Sequence, residues 1–263
     1  MVQIAVQVVY EGLAAHRWSD AELVELSAVI TSQNFAADCK FTMRGEMGWQ
    51  DAIGDYLRKK PEALFMTSDV MWGENSESIQ SSLVSHLIGL LIPSGWLYQN
   101  QVNCARMMTK CIIPIADETN QTFSVKTYWQ AENSFQDFTS FSIFHYLQKM
   151  LTPALGISCR KFALCQNALN LANTAIALER CRLARGEYPE LLTALAPQFI
   201  AQVPHDVIGG QPLKYRRTED GQFVLYSVGW NETDDGGVVV FREYSPNTPD
   251  LDKGDWVWRY PQK

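Results

Sequence analysis

The chain has 263 residues, 46% of them hydrophobic, enough for a sizeable core in one large domain or two ordinary ones. Its 22 basic and 29 acidic residues give a net charge of -7 and a pI near 5.2, a balance that repels phosphate backbones and anionic lipid surfaces. Nucleic acid is therefore not an expected partner.

The six cysteines, Cys39, Cys104, Cys111, Cys159, Cys165 and Cys181, form no C-x-x-C knuckle and mostly fall in segments with helical spacing, the pattern of buried free thiols. No stretch reaches the roughly 18 to 20 uninterrupted apolar residues of a membrane helix. Ile79 to Ile92 is too short, and Phe138 to Leu155 carries His145, Gln148 and Lys149, so both read as core helices. The opening run Val2 to Val9 lacks a basic leader and has the apolar face of an ordinary helix. Membrane attachment is thus expected only through an anchor absent from this chain.

In chain order the first elements read as helices. Ser19-Asp20-Ala21-Glu22 is a capping box, followed at helical spacing by Leu23, Leu26 and Ile30. A further helix is expected from Phe35 toward Lys60, broken or bent around Gly45 and Gly48, and Pro61 is placed to open the next as a first-turn proline. Ile79, Leu83, Val84, Leu87 and Leu91 repeat at helical spacing before the stop Pro93-Ser94-Gly95. Trp96 to Ile113 continues with Cys104, Met107, Met108 and Cys111, while the polar stretch Asp117 to Gln136 reads as a surface excursion or linker. Phe138 to Arg185 reads as a helical hairpin or bent long helix with its break at Pro153 to Gly156. Arg182 and Arg185 suit the last turn, where they complement the dipole, and Gly186 suits a left-handed exit.

Beyond Gly186 the period changes. Pro189 to Leu195 reads as a short helix, and Pro204 to Gly210 as a loop. Leu213 to Arg216 and Phe223 to Val228 alternate across the turn Thr218-Glu219-Asp220-Gly221, a β-hairpin to which Val238 to Arg242 and Asp255 to Tyr260 can add strands. Trp256 and Trp258 then share one face. The expected class is α+β: a mostly helical region over 1–156, then, over 157–263, a long helix followed by a small antiparallel sheet.

Ala177 to Pro189, Pro204 to Tyr215, Gly221 to Gly229 and Asp252 to Trp256 carry, in order, four short motifs that resemble the globular part of the major pseudopilin of type II secretion systems. Ala177 to Pro189 is similar to the family's helix end A-L-x-x-Y-R-x-x-x-G-x-Y-P, with Cys181 where the first tyrosine stands. Pro204 to Tyr215 resembles the loop and strand P-x-D-P-W-G-x-P-Y-x-Y, without its Pro-Trp and with one residue more. Gly221 and Leu225-Tyr226-Ser227-Val228-Gly229 resemble G-x-x-L-Y-S-L-G, and Asp252 to Trp256 is similar in position to the terminal D-D-I-G-N-W. The likeness covers roughly residues 165 to 260. The family's cleavable leader and continuous apolar helix have no match at the start of this chain, so filament assembly is not expected of it as given.

The resemblance implies calcium in the acidic loop Asn231 to Gly237. In the family an aspartate, a nearby carbonyl and a later acidic residue bind the ion. These fall here on Asn231, on the carbonyl of Val228, and on Asp252 or Asp255. Calcium takes six to eight such hard oxygens. The competing reading is a solvated turn whose Asp-Asp-Gly-Gly permits a tight reversal.

Other chemistry has less to stand on. His16, His86, His145 and His205 are far apart, with no H-x-x-x-H or H-E-x-x-H spacing for zinc, and read as surface or satisfied core residues. There is no G-x-S-x-G elbow, no G-x-x-x-x-G-K and no G-x-G-x-x-G. Acid pairs such as Glu22 with Glu25, and the basic cluster Arg44, Arg58, Lys59 and Lys60, read as solvated helix surfaces. The expectation is a non-enzymatic interaction or assembly protein, extracytoplasmic, periplasmic or envelope-associated, with a protein partner or self-association. The alternative is an enzyme or small-molecule binder with its site in a cleft between helical region and sheet.

Overall fold

In the computed structural model, which describes residues 2–61, 63, 91–136 and 143–260, long helices come first and small antiparallel sheets last. This is the expected α+β order. The chain divides into two compact units that are not simple halves: residues 1–39, 116–125 and 159–263 make unit 1, and residues 40–115 and 126–158 make unit 2. The sequence boundary at 156/157 lies close to one of these crossings, but the first 39 residues cluster with the tail. Their apolar stripes find their cover there.

Unit 1 is built around the helix α7 (Pro153–Arg185, 33 residues), described here from Cys159 onward. Between Gln166 and Glu179 nearly every side chain is buried, so no single stripe defines its inner face. Leu171, Ala172, Ala175, Ile176 and Leu178 form one core with Val9 and Leu13 of α1 (Val2–Ala14) and Leu23 of α2 (Asp20–Thr31). Full burial of each larger aliphatic side chain is worth about 2 kcal/mol. The capping box at the start of α2 is formed: the Ser19 amide donates to the Glu22 carboxylate at 2.8 Å and the Glu22 amide donates to the Ser19 hydroxyl at 3.5 Å.

A helix buried this completely must satisfy its own polar side chains. Gln166 accepts the Phe35 amide at 2.7 Å, Asn173 accepts the Ser27 hydroxyl at 2.7 Å, and Asn170 donates to the His205 carbonyl at 3.2 Å. These bonds pin three sequence-distant segments to α7. Its end follows the sequence reading: the Gly186 amide donates to the Arg182 carbonyl at 2.7 Å, with the glycine at φ +87°.

The tail forms a three-stranded antiparallel sheet in the order β3 (Lys214–Arg217), β4 (Phe223–Ser227), β7 (Trp256–Arg259). Tyr215 faces Leu225, which faces Trp258. Phe223, Leu225 and Trp258 belong to the same core as α7, while all five residues of β4 are buried, as a central strand requires. The predicted hairpin is present, with Gly221 at φ +76° in its turn. Val239–Arg242, expected beside it, instead pairs as β5 with β6 (Ser245–Gly254) in a separate two-stranded ribbon. A further short hairpin joins β1 (Ala116–Asp117) to β2 (Thr122–Phe123).

Unit 2 contains most of α3 (Phe35–Lys59), then α4 (Ser94–Met107), α5 (Val125–Gln136) from Lys126 onward, and α6 (Tyr146–Leu151). Leu57, Ala63, Leu97, Cys104 and Leu147 form its core. Buried Asn100 accepts the Leu147 amide at 3.0 Å and donates to the Trp96 carbonyl at 2.9 Å.

Three expectations change here. α3 runs unbroken through Gly45 and Gly48, since a glycine costs a helix interior only about 1 kcal/mol and the buried side of α3 holds it. The stretch Asp117 to Gln136 is not a linker: it supplies a hairpin and a helix whose Val125, Tyr128 and Ala131 are buried. The expected helix Trp96 to Ile113 changes pitch after Met107, becoming a π-helix over Met108–Ile112 and a 3₁₀ turn over Ile113–Ile115. The helix read over Ile79 to Ile92 lies, up to residue 90, outside the described residues, as do His86 and the interval 137–142. Among the described residues no helix is long and apolar enough to cross a membrane.

Candidate functional site

The polar chemistry of unit 1 gathers around three buried carboxylates, one of them among the residues singled out from sequence. Asp255 stands between β6 and β7 with its side chain turned into the loop Asn231 to Val238. One of its oxygens accepts the Asp235 amide at 3.3 Å, and the other accepts the amides of Gly237 at 2.6 Å and Val238 at 3.2 Å. Its own amide donates to the Val238 carbonyl at 2.8 Å. A side chain that accepts three backbone amides staples the acidic loop to the ribbon.

The rest of the loop closes on itself. Asn231 donates to Asp235 at 2.8 Å and accepts the Thr233 amide at 3.2 Å, an Asx turn. Asp234 accepts the Tyr226 hydroxyl at 2.9 Å and pairs with Lys214 at 3.2 Å; the tyrosine bond first, then the Gly236 amide, hold its carboxyl below the usual range. Gly229 enters the loop at φ +72°, where an added Cβ would stand 2.6 Å from the Gly254 carbonyl oxygen, so the two strand ends meet backbone to backbone.

The side chains expected to hold calcium each have a partner within the chain. Asp255 offers its oxygens to N–H donors, Asn231 has its amide oxygen in the turn, and Asp252 is ion-paired with Arg160. Among the described residues, no group of three or more His, Cys, Asp or Glu side chains is placed to hold a metal ion. The carboxylates act on the backbone.

Asp206, a residue of the Pro204-His205-Asp206 motif, does the same at the C-terminal end of β4. It accepts the Ile208 amide at 2.9 Å, the Ser227 hydroxyl at 2.7 Å and the Val228 amide at 3.0 Å. Burial raises its pKa, and those three donors work in the opposite direction. His205 beside it bonds the Asn120 carbonyl through Nε2 at 2.7 Å.

Sequence reading overlooked the third centre, Glu179 on α7, because its partners come from distant positions. Its carboxylate receives Arg182 through two bonds of 2.9 and 2.6 Å, the Tyr188 hydroxyl at 3.0 Å and His16 Nδ1 at 2.9 Å. Burial alone would raise its pKa; the Arg182 and His16 bonds outweigh it and hold Glu179 below its ordinary value. His16 reaches it from a left-handed backbone at φ 51°. A histidine oriented by a carboxylate is half of a general-base arrangement. Among the described residues, however, the His16 ring bonds Glu179 and no hydroxyl or thiol nucleophile bonds it.

The thiols are equally quiet. Cys39 and Cys159 are buried and in contact; the bond from Cys39 first, then burial, push the Cys159 thiol up and keep it protonated. Burial likewise pushes Cys104 up to about 11.

Three exposed aromatic residues lie instead on one helix of unit 2. Phe41, Trp49 and Tyr56 of α3 are 79%, 55% and 52% exposed. Spacings of eight and seven residues place them along one stripe. Gly45, Gly48 and Ala52 fill the stripe between them, and an added Cβ at either glycine would meet nothing within 4 Å.

Compared with protein-family models, curated proteins and solved structures, the chain has no match in any of the three.

Proposed function

We propose that this chain is a non-enzymatic interaction or assembly protein of the cell envelope, with a pseudopilin-like tail as its rigid part. The observation that carries the reading is the aromatic stripe of α3, three large rings held in water along one helix. The polar groups of unit 1 support it: Glu179, Asp206 and Asp255 are each occupied in bracing backbone or in internal ion pairs. The tail thus offers a braced shape. The ordered tail motifs support the envelope assignment, and the observed long helix and antiparallel sheet are the elements that likeness requires.

The test is a photo-crosslinking residue, benzoylphenylalanine, in place of Trp49 in the producing cell. A crosslinked species at natural abundance, whatever its second component, is the expected result. Only uncrosslinked chain after irradiation would overturn the interaction reading. Recovery of the chain solely in the cytoplasmic fraction would overturn the envelope assignment.

A further inference from the structure

The stripe on α3 has a symmetry of its own. About the midpoint between Gly48 and Trp49, Phe41 is as far to one side as Tyr56 is to the other, and Gly45 is as far as Ala52. A helix laid antiparallel across this midpoint therefore sets Phe41 against Tyr56, Gly45 against Ala52, and Trp49 against Gly48. Rings meet at both ends, small residues let the backbones approach beside the middle, and each indole covers a residue that has no side chain. Such a match with itself is what an isologous two-fold interface needs.

Charge follows the same rule. Arg44 and Asp51 are both exposed and seven positions apart, so they share one flank of the stripe. In an antiparallel two-fold pair like flanks meet, and Arg44 of one copy comes within about one turn of Asp51 of the other. A parallel two-fold pair would instead bring opposite flanks together and leave Arg44 and Asp51 without each other.

We propose that this face of α3 binds the α3 of a second copy of the chain, antiparallel, with Trp49 of each copy over Gly48 of the other. The inference rests on the interaction reading above and names its partner. The stripe is roughly 22 Å long, and its three rings expose on the order of 400 Å² per copy. Burying both sets lies at the small end of specific interfaces, where association is reversible and weak.

Sedimentation equilibrium of the purified full chain should show a monomer–dimer equilibrium that tightens as salt is lowered. Trp49→Glu and Gly48→Leu should each weaken it at least tenfold, with far-UV circular dichroism and Tm unchanged. Arg44→Asp should weaken it, and Arg44→Asp with Asp51→Arg should restore it. Orientation is read by mild oxidation: a mixture of Phe41→Cys and Tyr56→Cys chains should give the mixed disulfide in preference to either homodimer.

A chain that stays monomeric at several hundred micromolar, or a dimer indifferent to Trp49→Glu and Gly48→Leu, overturns the proposal. Preference for the Phe41→Cys homodimer overturns the antiparallel arrangement. If the purified chain is monomeric while position 49 crosslinks to a different protein in cells, self-association fails and the interaction reading stands. Failure of both leaves neither.

Discussion

In unit 1 the carboxylates of Glu179, Asp206 and Asp255 lie inside with their oxygens filled by donors, whereas in unit 2 Phe41, Trp49 and Tyr56 lie outside along one helix. The first arrangement gains rigidity at the expense of chemistry. A buried carboxylate braced by backbone amides is costly to disturb, because each amide it serves would be left without its acceptor. The second gains nothing for the folded monomer, because rings held in water forgo the burial that elsewhere stabilises the chain. Change in unit 1 should therefore register as stability, and change on the α3 stripe as association.

The largest effects are expected at the acids. Asp255→Ala leaves the Asp235, Gly237 and Val238 amides without their acceptor and should cost about 3 kcal/mol, read from denaturant unfolding. The wild-type Tm should be the same in calcium and in chelator. A calcium-dependent rise that Asp255→Ala abolishes would instead make Asp255 a ligand, since a hundredfold excess over Kd adds about 2.7 kcal/mol.

Glu179→Ala should cost about 3 kcal/mol, because it strands Arg182 and the Tyr188 hydroxyl in a largely closed setting. The pH dependence of this centre has a definite sign. The folded pKa of Glu179 is lowered, so its contribution is present above the ordinary glutamate value of about 4.3 and is lost as pH falls through the folded value. Glu179→Gln should accordingly flatten the acid side of the stability profile. A variant that keeps the wild-type slope would show that the slope comes from another group.

Asp206→Asn should cost about 2 kcal/mol, since an amide group cannot accept at both positions that Ser227 and Val228 occupy. Smaller effects, of opposite sign in the two units, are expected at glycines. Gly229→Ala should destabilise by about 2 kcal/mol, because the residue holds a positive φ and its Cβ would press on the Gly254 carbonyl. Gly45→Ala lies in open helix and should stabilise by about 0.5 to 1 kcal/mol. In the same variant the added methyl should loosen self-association, so stability and association would move apart. Were they to rise together, Gly45 would not face the second copy.

Much of the local structure was legible before any coordinates. Ser19 and Glu22 announce their capping box within four residues, Gly186 its helix exit, and Thr218 to Gly221 its turn, because each is set by neighbours in the chain. Hydrophobic spacing also marked α7, and alternation marked β3 and β4. Less legible was anything settled by what stands opposite. Gly45 and Gly48 look like helix breakers until the buried side of α3 is seen, and Asp117 to Gln136 looks like linker until Val125, Tyr128 and Ala131 are found inside.

The acidic loop shows the division most clearly. Its composition establishes that carboxylates and glycines gather near Asn231 and Asp255, and that a tight reversal follows. Whether those oxygens face a cation or the chain's own amides depends on the register of β5 with β6 and on the approach of Gly229 to Gly254. The sequence by itself determined the helices, the hairpin and the order of the tail, since propensity, capping and turn chemistry act over a few residues. Tertiary structure alone decided that Asp255 braces a loop, that His16 reaches Glu179 across 163 positions, and that three aromatic rings of α3 remain outside. Burial and hydrogen-bond pairing are properties of neighbours in space, which no local pattern encodes.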